Sequence, residues 1–139
     1  MIALDSNILI GAVGLTAYAH TQIVNWLDSN TAPVCCTGTN IAETLRVITH
    51  PKIFEKPMSL PSALEDLQEV INEYSISVLS EDPNWWKALD ENFSSSSIIR
   101  GNDIHDARIA LCLKHHGVKE ILTLDADFMK YRFLKVLTP

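Results

Sequence analysis

The sequence predicts an α/β fold built on a largely parallel sheet. Short apolar runs alternate with helix-period patterns from one end of the chain to the other, the signature of helices layered on a sheet. Each apolar run is only a few residues long, as buried parallel strands are. Two of the runs, Ile2-Ala3-Leu4 and Glu120-Ile121-Leu122-Thr123-Leu124, lead straight into carboxylates, Asp5 and the pair Asp125 and Asp127. In open parallel sheets, ligand sites form beyond the carboxyl ends of strands.

The 139 residues are 47% hydrophobic and 20% charged, which predicts one compact domain over 1–139 with a real core. A net charge of -6 argues against broad electrostatic attraction to nucleic acid. It leaves room for clustered acids neutralised by bound cations. Cys35, Cys36 and Cys112 fit no metal-ligand spacing, and a vicinal pair suits disulfide geometry badly, so they read as reduced core residues of a cytoplasmic protein. No charged leader precedes an apolar stretch at the start, and no apolar run approaches the roughly 18 residues that span a bilayer, so no membrane association is expected.

Strand 2–4 is followed by Asp5 and the turn-forming Ser6 and Asn7, with a helix beginning near Asn7. A helix over 17–28 packs through Ala19, Ile23, Val24 and Leu27. After strand 33–37, a helix over 39–49 packs through Ile41, Ala42, Leu45 and Ile48, carries Glu43, and is stopped by Pro51. Residues 52–61, with Pro57 and Pro61, form a loop. The next helix has the stripe Ala63, Leu64, Leu67, Val70, Ile71 and Tyr74, opposite a solvated face of Glu65, Asp66, Glu69 and Glu73.

Strand 75–79 precedes a helix opened by Pro83, in which Trp85, Trp86, Leu89 and Phe93 form the packing face. The serine run 94–97 is a helix end or loop. Gly101-Asn102-Asp103 is a turn, with Asp103 as cap of a helix over 104–115 that carries Asp106 in its first turn and ends before Gly117. Strands 120–124 and 134–137 complete the chain.

Four regions thus offer acids: Asp5, Glu43, Asp106, and Asp125 with Asp127. If the first and fourth strands are neighbours, all of them can converge at one end of the sheet. Carboxylates without cysteine, and without a paired-histidine spacing, are hard oxygen ligands suited to Mg²⁺, with Mn²⁺ as a substitute. Such ions bridge phosphate oxygens and activate water, so the natural substrate is a phosphodiester.

The segments Leu4-Asp5-Ser6-Asn7-Ile8-Leu9, Asn40-Ile41-Ala42-Glu43-Thr44-Leu45-Arg46, His105-Asp106-Ala107-Arg108-Ile109-Ala110 and Leu122-Thr123-Leu124-Asp125-Ala126-Asp127-Phe128, in that order across nearly the whole chain, resemble PIN domain nucleases. Within them the chain is similar to the VapC-type ribonuclease toxins of type II toxin-antitoxin systems. The resemblance implies a central parallel sheet with helices on both faces, and a Mg²⁺-dependent endoribonuclease whose acids are Asp5, Glu43, Asp106 and Asp125. It places Asp127 as completing the metal set, Asn7 as a supporting polar residue and Thr123 as a supporting hydroxyl. It also implies an RNA substrate, a cognate VapB-type antitoxin and a homodimer. The alternatives are a housekeeping PIN nuclease in RNA processing and a non-catalytic PIN-like binding module. No phosphate-cradling glycine loop follows the first strand, which speaks against a phosphatase on a similar sheet.

Each acid alone has a plainer reading. Asp5 and Asp125 are helix or turn caps, Glu43 a surface acid, and Asp106 a favourable first-turn charge. Four acids at matching places argue for a joint site. Arg46 and Arg108, close in sequence to Glu43 and Asp106, are candidates for RNA phosphate contact or for pairing with the acids. The spacing of His20, His50, His105, His115 and His116 supports no acid-base pair.

Overall fold

A computed structural model describes residues 1–15, 17–93 and 99–139, with Ala17 and Tyr18 described by their backbone alone. The serine run 94–97 lies outside the described residues. The chain runs through β1 (Ile2–Leu4), α1 (Ser6–Ala12), α2 (Ala17–Ser29), β2 (Val34–Thr37), α3 (Gly38–Ile48), α4 (Leu60–Glu73), β3 (Ser77–Leu79), α5 (Trp85–Phe93), α6 (Asp103–His115), β4 (Glu120–Leu122), a 3-10 turn (Ala126–Lys130) and β5 (Lys135–Leu137).

The strands form one sheet in the order β3-β2-β1-β4-β5, every adjacent pair parallel. The chain therefore builds outward from β1 on one side and then crosses back to build β4 and β5 on the other. The reversal falls between β1 and β4, which is where an open parallel sheet leaves a crevice beyond its strand ends. Their register, Ile2 opposite Glu120 and Leu4 opposite Leu122, brings Asp5 and Thr123 side by side one residue further on. The Asp5 amide continues the ladder to the Leu122 carbonyl at 3.0 Å.

Successive strand residues point to opposite faces, so the short strands feed two cores. Leu4, Cys36 and Leu122 pack with Ile8, Leu9, Ile23, Leu27, Leu67 and Val70 on one face. Ala3, Cys35 and Ile121 pack with Ile109, Leu113, Phe128 and Tyr131 on the other. The vicinal cysteines are thus split between two layers, each buried as a free thiol, and burial pushes them up to about 11 for Cys35 and about 12 for Cys36. Gly11 lets α1 lie close to α2, since a Cβ there would fall on the Ile23 side chain.

Several expected boundaries and faces shift. Pro33, Thr123, Leu124 and Leu134 lie just outside the strands, and Ser75 turns the chain into β3 through a left-handed φ of 49°. α4 starts within the expected loop, capped by Ser59, and α5 starts two residues after Pro83. In α3, Ala42 is exposed while Thr44 is buried, because the face that meets α1 is centred on Ile41, Thr44, Leu45 and Ile48. Leu64 and Trp86 point out, at 49% and 57% exposed, rather than joining their stripes. In α2, Trp26 also packs against the core.

Candidate functional site

Asp5 leaves the end of the central strand and caps α1. It is 5% exposed, yet its oxygens are fully engaged. Oδ1 accepts the Ser6 amide at 2.7 Å, and Oδ2 accepts the Thr123 hydroxyl at 2.6 Å and the Asn7 side-chain amide at 2.8 Å. Burial pushes its carboxyl up, the Thr123 and Ser6 hydrogen bonds pull it back, and the charges of Glu43 and Asp125 push again; the result lies above the usual carboxylate value.

Thr123 and Asn7 lock the two strand ends together. The Thr123 hydroxyl also accepts the Asp125 amide at 2.9 Å and the Asn7 Nδ2 at 3.0 Å, while Asn7 Oδ1 accepts the Leu124 amide at 3.1 Å. Asp125 accepts the Asp127 amide at 2.8 Å and so caps the 3-10 turn. Asp5 and Asp125 therefore do cap, and capping leaves both beside the crevice.

Glu43 comes from α3, where the Ser6 hydroxyl donates to its Oε2 at 2.7 Å. Ser6 in turn accepts from Asn40 Nδ2 at 3.1 Å, and Asn40, 1% exposed, accepts the Thr37 amide and hydroxyl at 3.0 and 2.8 Å. Asn40 and Thr37 form a reciprocal cap at the start of α3. Ser6 and Asn40 were not picked out from sequence. The available signals were the three-residue spacing of Thr37 and Asn40 that marks such a cap, and the three-residue spacing that puts Asn40 on the Glu43 side of the helix.

Asp106 projects from the first turn of α6. Burial pushes its carboxyl up to about 6; Lys130 opposes this, and Asp5, Glu43 and Asp125 add to it. Asp106 thus lies within the fields of Asp5, Glu43 and Asp125, and Asp5 within those of Glu43 and Asp125. Asp127 bears instead on Lys130 and Tyr131.

Asp103 does not cap α6 with its side chain. Asn102 is the cap residue and makes no side-chain cap bond; Asp103 is already helical, accepts the Arg100 amide at 3.3 Å, and binds Lys130 at 2.6 Å. Because Asp103 is already the first helical residue, its carboxylate is shared between the Arg100 amide just before the helix and the Lys130 ammonium.

Arg46 is exposed and stands 3.9 Å from Glu43. Arg108 turns away from the acids: its Nε donates to Glu81, and its guanidinium lies 4.8 Å from the Trp85 ring centroid. None of the described histidine bonds reaches the four acids; His20 meets the Gly11 carbonyl and His116 the Ser80 carbonyl, each at 2.8 Å.

The donors are all carboxylate oxygens with hydroxyls behind them, the chemistry of a Mg²⁺ or Mn²⁺ site, and the raised Asp5 and Asp106 carboxyls are what a cation would relieve. Among the described residues, no three Asp, Glu, His or Cys side chains close on a common point tightly enough to enclose an ion as they stand. Their oxygens are turned onto hydroxyl, amide and ammonium donors.

A five-stranded parallel sheet with helices on both faces, and acids gathered where its strand order reverses, defines a class of protein that sequence comparison names. The sequence model described as PIN domain matches residues 2–134, and the chain belongs to that family. Within it, the chain is similar to Ribonuclease VapC48 of Mycobacterium tuberculosis, 26% identical over 95 residues that cover 68% of this chain and 65% of that protein's length. Among solved structures it resembles Mycobacterium tuberculosis VapC20, described as a sarcin-ricin loop cleaving toxin, with a TM-score of 0.71 at 12% identity over 94% of each chain. It also resembles VapBC2 from Rickettsia felis bound to a DNA fragment from its promoter, with a TM-score of 0.66 at 15% identity, covering 99% of this chain and 98% of that one. At such identities the structures speak to the shared fold.

Proposed function

We propose that the chain, as one PIN domain over 1–139, is a metal-dependent endoribonuclease and the toxin of a type II toxin-antitoxin pair. The observation that carries this reading is the gathering of acids beyond the carboxyl ends of β1 and β4, where the charges of Glu43 and Asp125 bear on both Asp5 and Asp106. These four would hold Mg²⁺ or Mn²⁺, with Asp127 in support. Bound there, the ion supplies an activated water and neutralises charge on the leaving oxygen.

The chain's own residues prepare the site. Thr123 and Asn7 hold Asp5 in one orientation, and the Ser6 hydroxyl does the same for Glu43. The exposed Asp125 and Asp127 leave the crevice open on the side where an RNA strand would enter. Attack by water in line with the scissile bond breaks the bond from phosphorus to the 3'-oxygen, leaving a 5'-phosphate and a 3'-hydroxyl. Arg46, exposed beside Glu43, would meet a phosphate of the substrate; its exposure supports that role.

The likeness to a relative named a ribonuclease and to a solved toxin supports RNA as substrate, and the likeness to VapBC2 supports a VapB-type antitoxin as partner. The family resemblance supports a homodimer and a cytoplasmic setting.

The test is to sequence RNA ends after brief induction, with Asp5→Asn as control. New 5'-phosphate ends that vanish in Asp5→Asn are the expected result. Cleavage that survives a chelator, or that a 2'-deoxy substitution at the cut site abolishes, would remove the metal-water mechanism. Purified protein that cuts RNA without slowing growth on induction makes it a housekeeping nuclease, and protein that binds RNA without cutting makes it a binding module.

A further inference from the structure

The acid cluster carries a cation of its own. Lys130 closes the 3-10 turn, and its Nζ lies 2.6 Å from Asp103 Oδ1 and 3.7 Å from Asp106 Oδ2, with Asp127 contributing to the same field. The lysine is placed by the fold and is not a loose surface chain. Its side chain is 16% exposed, and its ammonium stands 5.5 Å from the ring centroid of Tyr131, its neighbour in sequence. Tyr131 is itself buried in the second core against Phe93 and Phe128. The turn that presents Lys130 begins at Asp125, so strand β4 sets both the acid and the ammonium.

The cluster therefore has two unequal sides. On one, Asp5 and Glu43 meet, among the described residues, neutral donors and the exposed Arg46 at 3.9 Å from Glu43, with Asp125 open to solvent. On the other, Asp103 and Asp106 share an ammonium, and Asp127 bears on it. An ammonium has three donors and a compact charge, so it can satisfy two carboxylates at once. Two-metal phosphodiester sites place their ions about 3.5–4 Å apart. An ion on the Asp106 side would then stand within a few ångströms of Lys130 and be repelled by it, in surroundings that screen poorly.

We infer that Lys130 is a resident substitute for a second metal ion, so that the pocket takes one divalent ion, on the Asp5, Glu43 and Asp125 side. This rests on the metal-dependent reading above. Lys130 is a positioning residue toward Asp106 in the free chain, and it supplies to the pocket one of the two positive charges that a second divalent ion would otherwise bring.

The test counts ions and needs no activity. Purified full-length chain is titrated with Mn²⁺, and free ion is measured by electron paramagnetic resonance, for the parent, Lys130→Arg, Lys130→Met and Lys130→Gln. One ion per chain is expected for the parent and for Lys130→Arg. A second ion is expected for Lys130→Met, bound at least about tenfold more tightly than any second equivalent on the parent. Lys130→Gln, which keeps a donor to Asp103, serves if Lys130→Met does not melt cooperatively. Two ions of similar affinity on the parent, or a single ion on the neutral variants, would overturn the role of Lys130 while leaving a metal enzyme. A parent chain that binds no ion at all would overturn the metal reading itself.

Discussion

Thr123 is a small side chain with a large effect on the geometry of the site. Its hydroxyl donates to Asp5 and accepts from Asn7 and from the Asp125 amide, so one oxygen sets the positions of two candidate ligands from different strands. Hydroxyls behind metal ligands typically contribute 10- to 100-fold in affinity or activity, so Thr123→Val is expected to weaken Mn²⁺ binding and RNA cleavage by about that factor. Far-ultraviolet circular dichroism should be unchanged. Asp106 makes a second prediction. Its carboxyl, pushed up by burial to about 6, holds in the native state a proton that the unfolded chain has already released. Stability must therefore fall as pH rises from about 4 to 6, with the penalty complete above that window. Asp5 is raised too and acts with the same sign. Chelator-treated protein is expected to melt higher at about pH 5 than at about pH 7.5, and Asp106→Asn should remove roughly 1 kcal/mol of that difference. An unchanged or opposite pH trend in calorimetry would show that Asp106 is not held in a like-charged, desolvated setting. Asp5 and Asp125 stand out in the sequence because they follow apolar strands, whereas Glu43, Asp106, Asn7 and Thr123 are singled out jointly with them through the family resemblance. Ser6 and Lys130 carry no local signal and matter through partners distant in sequence, whereas Asn40 is foreshadowed only by its cap spacing from Thr37.

Glu81 joins the elements that carry the acids. It lies two residues beyond β3 and receives the Thr39 amide at 2.9 Å and hydroxyl at 2.6 Å from α3, together with Arg108 from α6. Burial alone would raise its carboxyl, but the bonds from Thr39 and Arg108 outweigh it and hold it below the usual value. No side chain of α3 bonds directly to one of α6 among the described residues, so this carboxylate is the polar tie between the helices of Glu43 and Asp106. Glu81→Ala is expected to cost about 1–3 kcal/mol in urea unfolding, a range set below that of a fully buried pair because Arg108 is 37% exposed. Glu81→Gln should recover part of the loss through Thr39. A variant as stable as the parent would show that the tie contributes nothing. At this scale the sequence served well for the existence of elements and less well for their faces. Periodicity marks a helix, but which neighbour it meets decides whether Ala42 or Thr44 is inside, and Trp86 is out because α5 packs on α6 by its other side.

Across the whole molecule, β4 ties the two cores. Ile121 and Leu122 are each fully buried, on opposite faces, and the site hangs from the strand's next residue. Leu122→Ala is expected to cost about 2–5 kcal/mol. Because that loss lies under the site, metal affinity should fall with it, whereas Leu67→Ala, in the same core but on α4, should destabilise by a similar amount with less effect on metal affinity. Equal losses of metal affinity in the two variants would argue that the site has no special dependence on β4.

By itself the sequence determined the α/β class and the parallel sheet, and it nominated the four acids, because hydrophobic period and the acids that follow apolar runs or face one side of a helix are local properties of a chain. Only the tertiary structure decided that β1 and β4 are partners. That pairing depends on contacts between residues more than a hundred positions apart, and with it came the Thr123 and Asn7 lock, the Ser6 and Asn40 support of Glu43, and the lysine among the acids. A carboxylate in a sequence is only a charge; its neighbours, supplied by distant segments, decide whether it caps, pairs or waits for a cation.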